Sequence, residues 1–140
     1  MTTRCTAVPA DAAQLTVLMR SLQEFAIAVA LDASQARSFE LALEEIFMNI
    51  VMHGSRPGIA PRVEVSLHRD AESVTMIVED DGPQFDPLSL PPPDVTASLA
   101  DRPVGGLGVF LVRKLMDTVS YERVAGRNQL RMSKRLDGPA

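Results

Sequence analysis

The sequence predicts an α+β fold, a two-layer sandwich whose mixed, mostly antiparallel sheet is covered on one face by helices. Three observations predict it. Helical apolar periodicity gathers in residues 10–53. Two alternating segments, "PRVEVSLHRD" and "SVTMIVED", follow each other across a tight turn. Two more strand-like segments, "TVSYERV" and "QLRMSKR", close the chain.

Taken in order, "TRCTAV" (residues 3–8) reads as a short first strand. Pro9 then opens a helix at about residue 10, where proline is tolerated, with Leu15, Leu18, Leu22 and Phe25 as its apolar stripe. Asp32 and Gln35 are spaced as a capping box for a second helix that runs to about His53. Gly54, Pro57 and Gly58 end it. Val63, Val65 and Leu67 share one face of the next strand, and a turn near residues 70–72 makes it a hairpin with the segment after it. Residues 86–104 hold five prolines and little periodicity, and so long a loop in a small domain is usually functional or disordered. "GGLGVFLVRKLMD" reads as glycines opening a helix, and the last two strands are expected to turn at residues 126–128. The tail from Leu136 is expected to be loose.

The 140 residues suit one domain, residues 1–140, with its core at about 10–134. A formal charge of −4 argues against direct nucleic-acid binding, whose usual footprint is a basic patch. A single cysteine, Cys5, excludes an intrachain disulfide and suits a reducing, cytoplasmic compartment; it reads as a quiet strand residue. The N-terminal residues carry no signal-peptide pattern, and no apolar stretch reaches the ~20 residues a membrane span needs.

Three clusters bear chemistry. The hairpin's second strand ends in Glu79, Asp80 and Asp81 before Gly82. Side chains alternate along a strand, so Asp80 shares the face of Val74, Met76 and Val78 and points between sheet and helices. A carboxylate there is costly unless something hydrogen-bonds it. An adenine amino group is a suitable partner; a strand running into an Asp-Gly turn is the plainer alternative. Glu79 and Asp81 fall on the other face, as does Ile77.

In the second cluster, "ELALEEIFMNIVMHG", Glu45, Asn49 and His53 recur every four residues and so line one seam of a helix. Phe39, Leu43, Ile46 and Ile50 lie opposite, and Leu41, Ala42, Met48 and Met52 flank the seam, a pattern of burial nearly all round. A polar seam on a buried helix needs partners. Glu45 suits a general base and Asn49 an oxygen ligand for Mg²⁺; a solvated face is the alternative. Glu40 and Glu44 read as exposed charges, and His68 as a surface residue on a strand's polar side. The third cluster, Gly105, Gly106 and Gly108, precedes an apolar helix, whose free N–H groups and partial positive charge suit phosphate. It is neither a Walker A loop nor a dinucleotide fingerprint, and taken alone it reads first as a plain helix start.

The order and spacing of these clusters resemble the GHKL superfamily of ATP-binding domains, the Bergerat fold, and within it the anti-sigma-factor serine/threonine kinases. "EEIFMN" resembles the family's N box, which implies Glu45 as catalytic base, Asn49 as Mg²⁺ ligand and His53 beside the nucleotide. "DDGPQFD" resembles the first glycine box, implying that Asp80, Gly82 and Phe85 hold the adenine end. "GGLGVFLVRKLMD" resembles the second, with Gly105, Gly106, Leu107 and Gly108 under the phosphates. The Pro-rich stretch takes the place of the ATP lid, and Arg102 is its nearest cation to the phosphates. Gln84 stands where a glycine is common, and Val104 and Gly105 stand where a basic residue is frequent.

By this resemblance the cofactors are ATP and Mg²⁺. The partners are a sigma factor and an anti-sigma-factor antagonist of the STAS type, with a homodimer left open and no membrane involved. The activity implied is phosphorylation of a serine or threonine on the antagonist. The alternative is a module that binds ATP and sequesters a partner without transferring phosphate. Sensor histidine kinases share the ATP domain but need a phosphoacceptor histidine on a dimerising hairpin, and His53 lies inside the N box.

Overall fold

The computed structural model describes residues 2–54, 60–89 and 106–136. Five strands form one sheet: β1 (Thr2–Pro9), β2 (Arg62–Arg69), β3 (Ser73–Asp80), β4 (Thr118–Val124) and β5 (Arg127–Arg135), in the order β1-β2-β3-β5-β4. Every pairing is antiparallel, so the parallel component allowed for by a mixed sheet does not occur among the described residues. Three helices, α1 (Leu15–Ala28), α2 (Ala33–Gly54) and α3 (Gly106–Leu115), cover one face.

Alternation explains the two layers. Val63, Val65 and Leu67 of β2, Val74, Met76 and Val78 of β3, and Leu130 and Met132 of β5 are all buried. They meet Leu18, Leu22 and Phe25 of α1 and Phe39, Leu43, Ile46 and Phe47 of α2 in one continuous core. The opposite face of the sheet carries Cys5, Glu64, His68, Thr75 and Glu79. Cys5 is exposed there, its Sγ donating to Glu64 Oε1 at 2.9 Å, and His68 is half-buried beside Thr3.

Several boundaries differ from expectation. Pro9 ends β1 instead of opening α1; Asp11 caps a short 3₁₀ turn at residues 12–14 that runs into the helix. A β edge position that needs no N–H suits proline as well as a helix start does. Asp32 Oδ1 accepts from Gln35 N–H at 2.7 Å, which is half of a capping box. The Gln35 side chain donates instead to the carbonyls of Arg135 and Leu136 and pins the end of β5 to α2. Leu136 accordingly packs on the core, against the expectation that looseness begins there; residues 137–140 lie outside the described residues.

Glu44 is exposed as expected, but Glu40 is half-buried and accepts from Gln23 of α1. The expected burial of α2 nearly all round does not hold: Arg37 and Glu44 are exposed, as are His53 and the 55% exposed Met52 in its last turn. The β4–β5 turn lies one residue earlier than predicted, at Ala125 and Gly126, both with positive φ (51° and 79°). That is the backbone a two-residue hairpin requires. The shift moves Asn128 out of the turn and into β5, on its buried face.

Candidate functional site

Asp80 ends the buried face of β3 and is itself buried. Its Oδ1 accepts from the Gly82 N–H at 3.0 Å and from Asn128 Nδ2 at 3.0 Å. Burial pushes its carboxyl above the ordinary carboxylate range; the Asn128 and Gly82 hydrogen bonds and the nearby Arg123 guanidinium pull the other way. Gly82 permits the tight turn behind it, since a Cβ there would lie 3.0 Å from Asp80 Oδ1 and 3.5 Å from Pro61. Arg123 donates to the Gly82 carbonyl at 2.9 Å and fixes the same turn from β4.

The flanking acids divide as their parity predicts. Asp81 is exposed, but its Oδ1 also accepts from Arg62 N–H at 2.7 Å, which extends the β2–β3 pairing by one rung. Glu79 is half-buried on the open face, where Gln129 donates to it at 2.6 Å and Arg127 stands 3.6 Å away. It is thus a paired surface group more than a freely solvated one.

The Asp80 face opens into a cleft of about 440 Å³, mouth included, between α2 and the sheet. A mostly apolar wall with few polar groups suits a small ligand. Ile46, Ile50, Val78 and Leu130 form apolar wall; Asp80, Asn49 and Asn128 are its buried polar groups. His53 and Phe85 stack at its side, ring centroids 4.8 Å apart and planes 21° from parallel. The seam on α2 and the loop after β3 therefore meet, although 31 residues separate Asn49 from Asp80 in the chain.

Asn49 Nδ2 is buried with no hydrogen-bond partner among the described residues. An unpaired buried amide is costly and calls for an explanation. One turn earlier, Glu45 reaches the start of α3: a methyl group on Gly108 would stand 2.3 Å from Glu45 Oε2. The absent side chain at Gly108 is what lets the carboxylate approach that helix end. Gly106 is the first residue of α3 and Leu107 follows it. Arg102, Gly105, the side chain of Leu107 and most of the Pro-rich stretch lie outside the described residues. Of that stretch, a 3₁₀ turn at Pro87–Ser89 is described; Pro87 is buried and lines the cleft, and the Leu88 carbonyl accepts from Arg113 of α3 at 3.2 Å.

Asn128, Tyr121 and Arg123 were missed by the sequence reading. Their signal was available in part: Asn128 has the parity of Leu130 and Met132, the same argument that placed Asp80 inside. Misplacing the turn at residues 126–128 hid it.

Known proteins resemble this chain in sequence and in fold. The model of the histidine kinase-like ATPase domain matches residues 8–134. A serine/threonine-protein kinase of Bordetella bronchiseptica, BtrW, is 32% identical over 93 residues, which is 66% of this chain and 66% of that protein. The serine-protein kinase RsbW of Halalkalibacterium halodurans is 28% identical over 123 residues, 85% of this chain and 75% of that one. The crystal structure of RsbU and RsbW domains from a Mycobacterium tuberculosis protein superposes with a TM-score of 0.71 at 17% identity, covering 100% of this chain and 33% of the other. The chain thus spans a third of that solved chain and about two thirds of the Bordetella relative. With a family match over nearly its whole length and the same fold in the solved relative, this chain belongs to the histidine kinase-like ATPase domain family.

Proposed function

We infer that the protein is a Mg²⁺–ATP-dependent serine/threonine kinase that acts as an anti-sigma factor, holding a sigma factor and phosphorylating a STAS-type antagonist. The names of its kinase relatives support the activity class. The observation that carries the reading is the convergence on one apolar cleft of Asp80 and Asn49, whose Nδ2 has no partner among the described residues, with Glu45 against Gly108 beside it.

The adenine would enter the cleft with its amino group on Asp80 and its ring against Ile46, Leu130 and the Phe85–His53 pair. The phosphates would then run past Asn49 toward the first N–H groups of α3, where positive dipole charge favours them. The residues present fit a bound Mg²⁺: rotation of the Asn49 amide presents its oxygen, a hard donor of the kind Mg²⁺ takes alongside phosphate oxygens. Bound there, the ion would neutralise phosphate charge.

The chain's own contribution to transfer is assigned to Glu45. The attacking hydroxyl oxygen bonds to the γ-phosphorus, its proton passes to the Glu45 carboxylate, and the bond from phosphorus to the bridging oxygen breaks to release ADP. Residues 86–104 serve in this reading as the lid, and the packing of Pro87 and Leu88 between cleft and α3 supports that role for its first turn.

The test is transfer of labelled γ-phosphate from Mg²⁺–ATP to STAS-type proteins of the same cell, beside calorimetry with ATP and GTP. ATP binding with transfer to a serine or threonine is expected. Tight ATP binding with transfer to none of them overturns the kinase and leaves a nucleotide-dependent sequestering module; no ATP binding overturns the whole reading.

A further inference from the structure

We propose that Asn128 is a positioning residue that sets base specificity by making Asp80 a one-oxygen acceptor; the inference rests on the nucleotide site argued above. A primary amide offers two N–H donors and two acceptor lone pairs. Asn128 uses all four while buried. Nδ2 donates to Asp80 Oδ1 at 3.0 Å and to the Pro83 carbonyl at 2.8 Å. Oδ1 accepts from Phe85 N–H at 3.1 Å and from the Tyr121 hydroxyl at 2.6 Å. The amide cannot be turned over, because a carbonyl and a carboxylate only accept and a backbone N–H only donates.

One side chain on β5 therefore closes the loop after β3 on both sides of Pro83 and holds Asp80 in one rotamer. The consequence is chemical. Asp80 Oδ1 already takes two donors, Asn128 Nδ2 and Gly82 N–H, and no described residue donates to Oδ2. A ligand meets one free carboxylate oxygen. Adenine offers an amino donor beside a ring nitrogen that accepts, so it wants one oxygen and is repelled by a second. Guanine offers two adjacent donors, its ring N–H and its amino group, and is matched by a carboxylate that presents both oxygens. By occupying Oδ1, Asn128 suits the site to adenine and leaves a guanine donor unpaired, which is how polar sites discriminate most strongly.

The test measures ATP and GTP affinity by calorimetry for the wild type, Asn128→Leu, Asn128→Asp and Tyr121→Phe, with a thermal melt of each. Asn128→Leu keeps the volume and removes the donor. Asn128→Asp keeps the acceptor for Phe85 and Tyr121 but turns a carboxylate toward Asp80. Without the Asn128 donor Asp80 is no longer held for the ligand, and losing the ligand's own hydrogen bond to that carboxylate costs roughly tenfold to a hundredfold in affinity, so each Asn128 variant is expected to bind ATP at least about tenfold more weakly. In Asn128→Leu the ATP-to-GTP ratio should also fall about tenfold, because Oδ1 keeps only the Gly82 donor and the place that Asn128 held on it opens to guanine. Tyr121→Phe touches the amide's far side; it should lower the melting temperature and leave the ratio unchanged, which a merely structural role for Asn128 does not require.

A folded Asn128→Leu that keeps the wild-type ratio overturns the inference. If that variant does not fold, Asn128→Asp with wild-type ATP affinity overturns it equally. A wild type that binds ATP while the variants behave this way removes the role of Asn128 alone; a wild type that binds neither nucleotide removes the site itself.

Discussion

Replacing Gly108 by alanine should separate folding from phosphate transfer. The added methyl would stand 2.3 Å from Glu45 Oε2, 3.1 Å from its Cδ and 3.5 Å from its Cβ. Ordinary contact begins at 3.4 Å, so the carboxylate must withdraw by about 1 Å while the root of the side chain stays in place. The atoms displaced are the far end of a flexible chain, and withdrawal strains little. Alanine is also favoured over glycine inside a helix by about 1 kcal/mol, less near an end. Stability should therefore remain within about 1 kcal/mol of wild type, with the melting temperature unchanged or slightly raised. A reacting group misplaced by about 1 Å can cost roughly 10²-fold in rate, and transfer should fall by that order.

The assay is single-turnover phosphate transfer at saturating Mg²⁺–ATP, with nucleotide affinity measured separately because the methyl also borders the proposed phosphate path. The same substitution made in a Glu45→Gln background should cost little more, since the group it displaces is already disabled. Wild-type transfer by Gly108→Ala, or full additivity of the two changes, would refute the argument that Glu45 works from its seat against α3.

Glu45→Gln itself should bind Mg²⁺–ATP nearly as the wild type does and transfer phosphate ~10²–10⁴-fold more slowly, whereas Asn49→Ala should weaken nucleotide binding first; equilibrium affinity set beside single-turnover rate distinguishes them. Asp80→Asn should bind ATP roughly ten- to a hundredfold more weakly, as calorimetry would show. Because burial raises the Asp80 pKa above its unfolded value, the favourable contribution of its protonated form is present at low pH and lost as pH rises through the folded pKa. Denaturant melts across the acid range should accordingly show Asp80→Asn gaining on the wild type as pH rises, while wild-type ATP affinity should climb over the same range as the carboxylate ionises. Ala125→Asn should stabilise the fold by about 0.5–1 kcal/mol in urea unfolding, since Ala125 holds φ at 51° without the local hydrogen bonding that makes asparagine tolerant there.

Local regularities carried much of the answer. Period-two alternation placed Val74, Met76, Val78 and Asp80 on one face, and the buried row in β3 follows it. Four-residue spacing put Glu45, Asn49 and His53 on one seam, and Asn49 and His53 do line one cleft with Asp80. These readings work because the alternation of a strand and the turn of a helix are properties of the backbone alone.

What only the tertiary structure decided is which distant groups complete the site. Asn128 meets Asp80 across 48 positions because β5 inserts between β3 and β4. Nothing local distinguishes that sheet order from a simple meander. The same holds for Gly108, whose missing side chain matters only because α3 packs against the turn of α2 that bears Glu45. Single-residue errors also grew in this way: a last hairpin turn set one position late left Asn128 out of the strand, so the alternation that faces it inward did not reach it. The chain by itself determined the elements, their buried faces and the residues able to do chemistry; the sheet order and helix packing determined which of them share an oxygen, a wall or a lost methyl group, because those contacts are set by how separate surfaces fill one core.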